Sequence, residues 1–525
     1  MKRLTLFRTV PETFFRLATR RTLPVFLTGF VFAMTITADG GEVEPLFKVV
    51  DLEKGESAEV ALPDGSEVEL TLLRLEDTRD PIREAVRSAV ATVAINGEEA
   101  EVGVGNYNLP KTVAGVQIDC TVTSAYYDNT DRDHWSLEKD ARFRVWPEGS
   151  PWIRPGTFQH PLDQRFLATG TQSGNESTFI DGGERPTRRD IYYHAGFDFA
   201  GYEGRTEIFA ATDGVVMSLG DRSLDRDEHP PVRPRYDVIY IRDDRGWYYR
   251  YSHLKSFETP LEVGERVKMG DKLGDVGKEG HSGGYAHLHF DISMPMPSGG
   301  YGIQDAYPFV WQAYREEYDP AVIAVARPHS LARVGDTVEL DGSRSWSREG
   351  IAGYEWTLSD GSQVEGSKTT VTYEEPGTYS EILKVVSEDG EVAYDFQEVQ
   401  ILDRDFFEER LPPTIDPVFH PTMGVQAGDP VKFAVRSFRV APGEGYEEWD
   451  FGDGSPPVRV ESNPYWREDP ETSRHARDGY AHTVHRFQEP GHYIVSVSRS
   501  NNEGHTGTGR LHVVVEDPEE PATEE

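Results

Sequence analysis

Tyr285-Ala-His-Leu-His-Phe-Asp-Ile292 sets two histidines one residue apart in an apolar, alternating run, the pattern of a β-strand. Side chains on a strand repeat with period two, so His287 and His289 share one face. They lie in sequence among Leu288, Phe290 and Ile292, where a buried imidazole needs a partner. Upstream, His194-Ala-Gly-Phe-Asp198 sets a histidine and a carboxylate four residues apart. With His289 these make three possible ligands, neutral imidazole and carboxylate, a set that suits zinc with one open position. His253, in Tyr251-Ser-His-Leu254, and His287 are then left as proton-handling groups beside the metal. The chain has 16 histidines, so any one of them is an ordinary surface or hydrogen-bonded residue until something groups it with others. Spacing alone leaves a metal site and a set of unrelated histidines equally open.

The surrounding text decides between them. His194-Ala-Gly-Phe-Asp-Phe-Ala200 is followed by Ile208-Phe-Ala-Ala-Thr-Asp-Gly-Val-Val216. Val263-Gly-Glu-Arg-Val-Lys-Met-Gly-Asp-Lys-Leu-Gly-Asp-Val-Gly277 and His287-Leu-His-Phe-Asp-Ile292 complete the series. In order and in glycine punctuation this resembles the M23 family of zinc metallopeptidases, the LytM and lysostaphin type, over about residues 155–315. The resemblance implies a mostly antiparallel β peptidase core and one Zn2+ per chain, held by His194, Asp198 and His289. It further implies His287 as general base, His253 as stabiliser of the oxyanion or leaving amine, and peptidoglycan peptides as substrates of an endopeptidase. No His-Glu-x-x-His helix occurs, so the usual glutamate base of other zinc peptidases is missing and the two histidines substitute for it. Two departures concern the cleft: Gly283-Gly-Tyr-Ala286 stands where a Thr-Gly-Pro-type turn is common, and Arg222–Arg235 is an elaborate polar loop. Tyr251 either lines the cleft or packs in the core. A general extracellular protease, or a surface adhesion protein with a degenerate peptidase core, are the rival readings.

Composition bounds the setting. A chain of 525 residues exceeds one hydrophobic core and calls for three or four domains. Its 54 basic and 91 acidic residues give a net charge of −37, which excludes nucleic acid as a partner and repels anionic wall polymers unless salt or divalent ions screen it. Residues 1–38 read as a signal peptide: Lys2, Arg3, Arg8, Arg16, Arg20 and Arg21 precede the apolar run Leu23–Ile36. An uncleaved amino-terminal anchor is the alternative; after cleavage no stable membrane insertion is expected. The implied location is secreted, periplasmic or on a bacterial cell surface. Cys120, the lone cysteine, rules out an intramolecular disulfide and suits a core position.

The whole reads as an all-β multidomain protein. Residues 45–150 form a β-rich amino-terminal domain, with a hairpin at Asn96-Gly97 and a short helix expected within Asp80–Val93. It could be a prodomain, a wall-binding module or a packing partner, and His134 is a possible inhibitory ligand. The peptidase core spans 155–318, with two strands expected around an Asp213-Gly214 turn and another pair around Asp244–Gly246. Residues 321–402 and 412–516 repeat one design, with Tyr354-Glu-Trp356 matched by Trp449-Asp-Phe-Gly-Asp-Gly-Ser455. These resemble PKD domains, immunoglobulin-like β-sandwiches in which Trp356 and Trp449 are core residues; they imply contact with surface polysaccharide or protein. Their Asp-Gly pairs are turn residues or, alternatively, calcium ligands. Residues 517–525 are an acidic tail with no reason to fold.

Overall fold

A computed structural model describes residues 44–130, 133–178, 186–187, 191–224, 231–407, 411–441, 443–463 and 479–517. The expected signal peptide and all but the first residue of the acidic tail lie outside these residues. All the described residues belong to one unit. Among them, no helix is long and apolar enough to cross a membrane.

The amino-terminal region makes two four-stranded sheets. In one of them Val86–Ile95 pairs with both Glu67–Arg79 and Glu98–Gly103. Asn96 and Gly97 take φ of +50° and +85°, so the two-residue hairpin turn is present with positive φ at both positions. The helix expected within Asp80–Val93 is absent. Asp80 Oδ1 accepts the backbone N–H groups of Ile82 and Arg83, which closes a turn at 2.9 and 2.7 Å. Val86, Val90 and Val93 then enter the long strand, where β-branched side chains pack well and tertiary pairing overrides the helical spacing.

In the peptidase region the central strand is His287–Pro295, flanked by Tyr248–Ser252 on one side and Phe197–Ala200 on the other. Both pairings are antiparallel. The register sets Asp198 and Ser252 opposite His289, and Ala200 opposite His287. The Ile239–Arg242 and Tyr248–Ser252 pair forms as expected. The pair around Asp213-Gly214 does not. Glu207–Phe209 joins Lys272–Val276 in a separate three-stranded sheet, while Gly214–Leu219 joins the large sheet. Asp213 is held by Lys268 Nζ and Met269 N–H, so the connection crosses between sheets instead of folding back. Among the described residues one α-helix has no counterpart in the all-β expectation: Tyr307–Tyr318, with Pro308 in its first turn and Tyr307, Val310, Trp311 and Tyr314 buried. That spacing, with proline at the start, was a helix signal in the sequence.

The two carboxy-terminal β-sandwiches are joined edge to edge. Gly377–Thr378 of the first pairs in parallel with Thr506–Gly507 of the second, which makes one ten-stranded sheet across both. Trp356 and Trp449 are each fully buried in their cores. The Asp-Gly carboxylates cap their own turns: Asp360 on Ser362, Asp450 on Gly452 N–H and Asp453 on Ser455 N–H.

Asp416, on the strand Thr414–His420, is a buried carboxyl beside Arg436 and Tyr480. Burial pushes its pKa up to about 7, against the opposing pull of the Tyr480 hydrogen bond and the Arg436 charge. A carboxyl raised in the folded state binds more protons there than when unfolded. Its contribution is therefore most favourable below about pH 4 and is lost as pH rises toward about 7, on the order of 4 kcal/mol in full. Asp416→Asn should remove this loss, so the variant's thermal midpoint should gain on wild type between pH 5 and pH 8. A difference that stays constant with pH would contradict the assignment.

Candidate metal centre

Sheet register brings Asp198 across from His289, and the short loop before Phe197–Ala200 adds His194. Gly196 sits under the His289 ring with φ +143°; a Cβ there would lie 3.0 Å from the ring, so glycine is required for the close approach. The three ligand atoms form a nearly equilateral triangle. His194 Nε2 lies 3.0 Å from His289 Nδ1 and 3.1 Å from Asp198 Oδ1, and His289 Nδ1 lies 2.9 Å from Asp198 Oδ1.

The hydrogen bonds behind these atoms state what the triangle is for. His194 Nδ1 faces the carbonyl of Ser173 at 3.1 Å, and a carbonyl only accepts, so the ring proton belongs on Nδ1. His289 Nε2 likewise faces the Asp291 carboxylate at 3.3 Å, with Arg250 holding Asp291 from the other side. Each neutral imidazole therefore turns a lone pair, and Asp198 an anionic oxygen, toward one point. Three acceptors converging in a buried site repel one another unless a cation lies between them. The edges are within a few tenths of an ångström of the roughly 3.3 Å that a tetrahedral zinc with bonds of about 2.0–2.1 Å imposes. Asp198 Oδ2 is also buried and has no hydrogen-bond partner among the described residues. Among the described residues these three are the group able to hold a metal ion, and the arrangement has the geometry of a single zinc site.

His253 and His287 stand beside this triangle, their rings 4.7 Å apart. His287 Nδ1 faces the Tyr285 carbonyl at 3.1 Å, which turns Nε2 inward to 3.6 Å from Asp198 Oδ2. His253 Nδ1 faces the Glu279 carbonyl at 2.6 Å. The His253 backbone is strained, with φ +70°, and is held by Asp237, whose Oδ2 accepts its N–H at 3.0 Å. Arg235 pairs with that carboxylate at 2.5 and 2.6 Å. Burial raises the Asp237 pKa, but His253 and Arg235 together take it well below the usual range.

All five sequence-derived residues are thus brought together. Asp291, Asp237 and Arg235 were missed. Asp291 was readable, since period two puts it on the face of His287 and His289. Ser173 and Glu279 act through main-chain carbonyls, which carry no residue signature. His134 packs against Trp135 and Tyr192 and is not part of the metal group. Tyr251 is a core residue whose hydroxyl accepts the Ala211 N–H at 2.8 Å. The amino-terminal region backs the site: Ile191, Tyr193 and Ala195 share its hydrophobic core, and Asn175 donates to Thr121 O.

A zinc-type ligand triangle on an antiparallel sheet, with two imidazoles at its side, is a metallopeptidase centre. Comparison with known families agrees: residues 192–298 match peptidase family M23, and residues 319–401 and 419–515 each match the PKD domain. The chain therefore carries an M23 peptidase domain followed by two PKD-like domains. No curated protein sequence matches it. Among solved structures, the catalytic domain of the prophage-encoded M23 protein EnpA from Enterococcus faecalis is 26% identical, over 26% of this chain and 92% of that one, with a TM-score of 0.17. Csd3 of Helicobacter pylori is 13% identical over 52% of this chain and 82% of its own, with a TM-score of 0.20. Fibronectin(III)-like modules of Clostridium thermocellum CbhA are 13% identical over 39% and 98%, with a TM-score of 0.14. Superpositions this partial bear on neither fold nor function.

Removing Asp291 should loosen the metal without removing a ligand. Asp291→Ala is expected to weaken zinc binding about 10- to 100-fold, and His289→Ala to abolish it, in competition titrations with a chromogenic chelator. Unchanged affinity in Asp291→Ala would show that the carboxylate does not set the His289 proton.

Proposed function

We propose that the protein is an exported zinc endopeptidase that cuts the peptide portion of bacterial peptidoglycan. The observation that carries this reading is the convergence of three buried lone-pair donors with two further imidazoles whose proton positions are set by carbonyl acceptors. When bound, zinc supplies a Lewis acid that polarises the scissile carbonyl and makes water a nucleophile near neutral pH. His194, Asp198 and His289 hold and orient it. His287 Nε2 faces the site from beside Asp198 and takes the proton of the attacking water. The Tyr285 carbonyl keeps the other ring nitrogen occupied, so that proton has one place to go. His253 serves the developing oxyanion or the leaving amine from Nε2 as the imidazolium, its Nδ1 proton held by the Glu279 carbonyl and its charge offset by Asp237 at 3.5 Å. Glu279 and Asp237 fix that ring's plane, and fixed donors at such a position lower the barrier without reorganising.

Substrate class and location rest on the sequence. The family resemblance supplies cell-wall peptide, and the amino-terminal charge and apolar pattern supplies export to a secreted, periplasmic or cell-surface location. The PKD-like domains suit contact with surface polysaccharide or protein.

Purified sacculi incubated with the protein should release peptides, with one zinc per chain and with release stopped by a chelator. A mass spectrum of the products identifies the bond. His287→Ala should retain zinc yet slow release by at least about 100-fold, the usual scale for losing a general base. Chelator-insensitive release, or full turnover in His287→Ala, would overturn the reading.

A further inference from the structure

The metal triangle and both proton-handling histidines are almost wholly covered: their side chains are 0–4% exposed. Part of that cover comes from the carboxy-terminal sandwich. Asp198 and His287 open into a cavity of about 200 Å³, whose other walls include Thr414, Ile415 and Asp416 of the second sandwich and Arg327 of the first. That is smaller than the roughly 300–1,000 Å³ typical of sites for small ligands, and an endopeptidase must accept chain on both sides of the scissile bond.

The contact is made on the segment that leads into His287. Arg436 Nη1 donates to the Gly284 carbonyl at 2.9 Å. Gly284 has φ +87°, and a Cβ there would come within 2.8 Å of that guanidinium, so the glycine is what admits it. The Tyr285 ring stacks on Phe438, with centroids 4.0 Å apart and planes 14° from parallel. Ala286 N–H donates to the Tyr480 hydroxyl at 2.8 Å, and that hydroxyl donates in turn to Asp416. A separate apolar cluster closes the joint: Ala200, Tyr202 and Ala286 from the peptidase meet Val418, Ala434 and Tyr480 from the sandwich. Gly284 C=O and Ala286 N–H are main-chain groups beside the catalytic strand, of the kind an extended peptide pairs with when it binds by strand addition. Here the sandwich has taken both.

Resting on the hydrolase reading above, we propose that the second PKD-like sandwich, residues 412–516, is an intramolecular inhibitor of the peptidase cleft. It occupies the main-chain positions a peptide substrate needs, and the enzyme acts when this domain swings away together with the first sandwich that shares its sheet. This gives Gly283-Gly-Tyr-Ala286 a role as the inhibitor's seat. It also separates latency from the metal, since among the described residues the ligand group is His194, Asp198 and His289 of the peptidase region.

The test uses the full-length chain with Arg436→Ala and Phe438→Ala combined, and separately Tyr480→Phe, which keeps the ring and removes the hydroxyl. Three readouts are taken on zinc-loaded protein: peptide release from sacculi, the rate of zinc loss to a chelator, and hydrogen exchange of the 284–289 amides. Activity scales with the open fraction, so the double variant should release peptide at least about tenfold faster than wild type. Zinc loss and amide exchange should accelerate with it at unchanged zinc content, and Tyr480→Phe should shift all three in the same direction by less. Equal rates in all three proteins would overturn the proposal and leave the hydrolase reading intact. So would slower release with zinc retained, because the sandwich would then be a wall of the substrate site. If no protein releases peptide, the hydrolase reading fails, and zinc loss and exchange still decide whether the sandwich covers the cleft.

Discussion

The antiparallel register between Phe197–Ala200 and His287–Pro295 is the constraint on which the rest depends. It sets Asp198 opposite His289 at the centre of the sheet, where neither side chain can turn to solvent. A one-residue slip would send His287, His289 and Asp291 to the other face together. The apolar residues between them, Leu288, Phe290 and Ile292, anchor the register by filling the core beneath. The same alternation that buries the strand therefore builds the ligand set.

Around that pairing the protein spends main-chain carbonyls and secondary carboxylates on one task, fixing which ring nitrogen carries the proton. Ser173 and Asp291 do this for the two ligand histidines, Tyr285 and Glu279 for the two imidazoles beside them. Asp237 adds a backbone restraint on His253, whose positive φ persists only because its surroundings hold it there. The amino-terminal sheets contribute from behind, by packing against the strand that delivers His194. The carboxy-terminal sandwiches contribute from in front, as a single body made by their shared sheet.

The departures from the sequence reading have a common cause. Val86, Val90 and Val93 sit at helical spacing, yet a partner strand on each side offers more than an isolated short helix. Asp213-Gly214 has the composition of a hairpin turn, yet its carboxylate is claimed by Lys268 and Met269 from elsewhere in the chain. In both cases local propensity was real and a distant partner prevailed.

The metal triad, the two neighbouring histidines, the hairpins at Asn96-Gly97 and Asp244–Gly246, and the tryptophan cores were legible in the sequence. Each rests on short-range information: a period of two, a turn dipeptide, or a motif with its glycines. Asp291 was legible too, by the same period. What only the tertiary structure decided depends on residues far apart in the chain. The acceptors behind each ring are largely backbone atoms, which leave no trace in residue identity. The seating of Arg436, Phe438 and Tyr480 on Gly284–Ala286 joins positions some 150 to 200 residues apart. No local pattern encodes such a contact, because it exists only once two independently patterned β domains have packed.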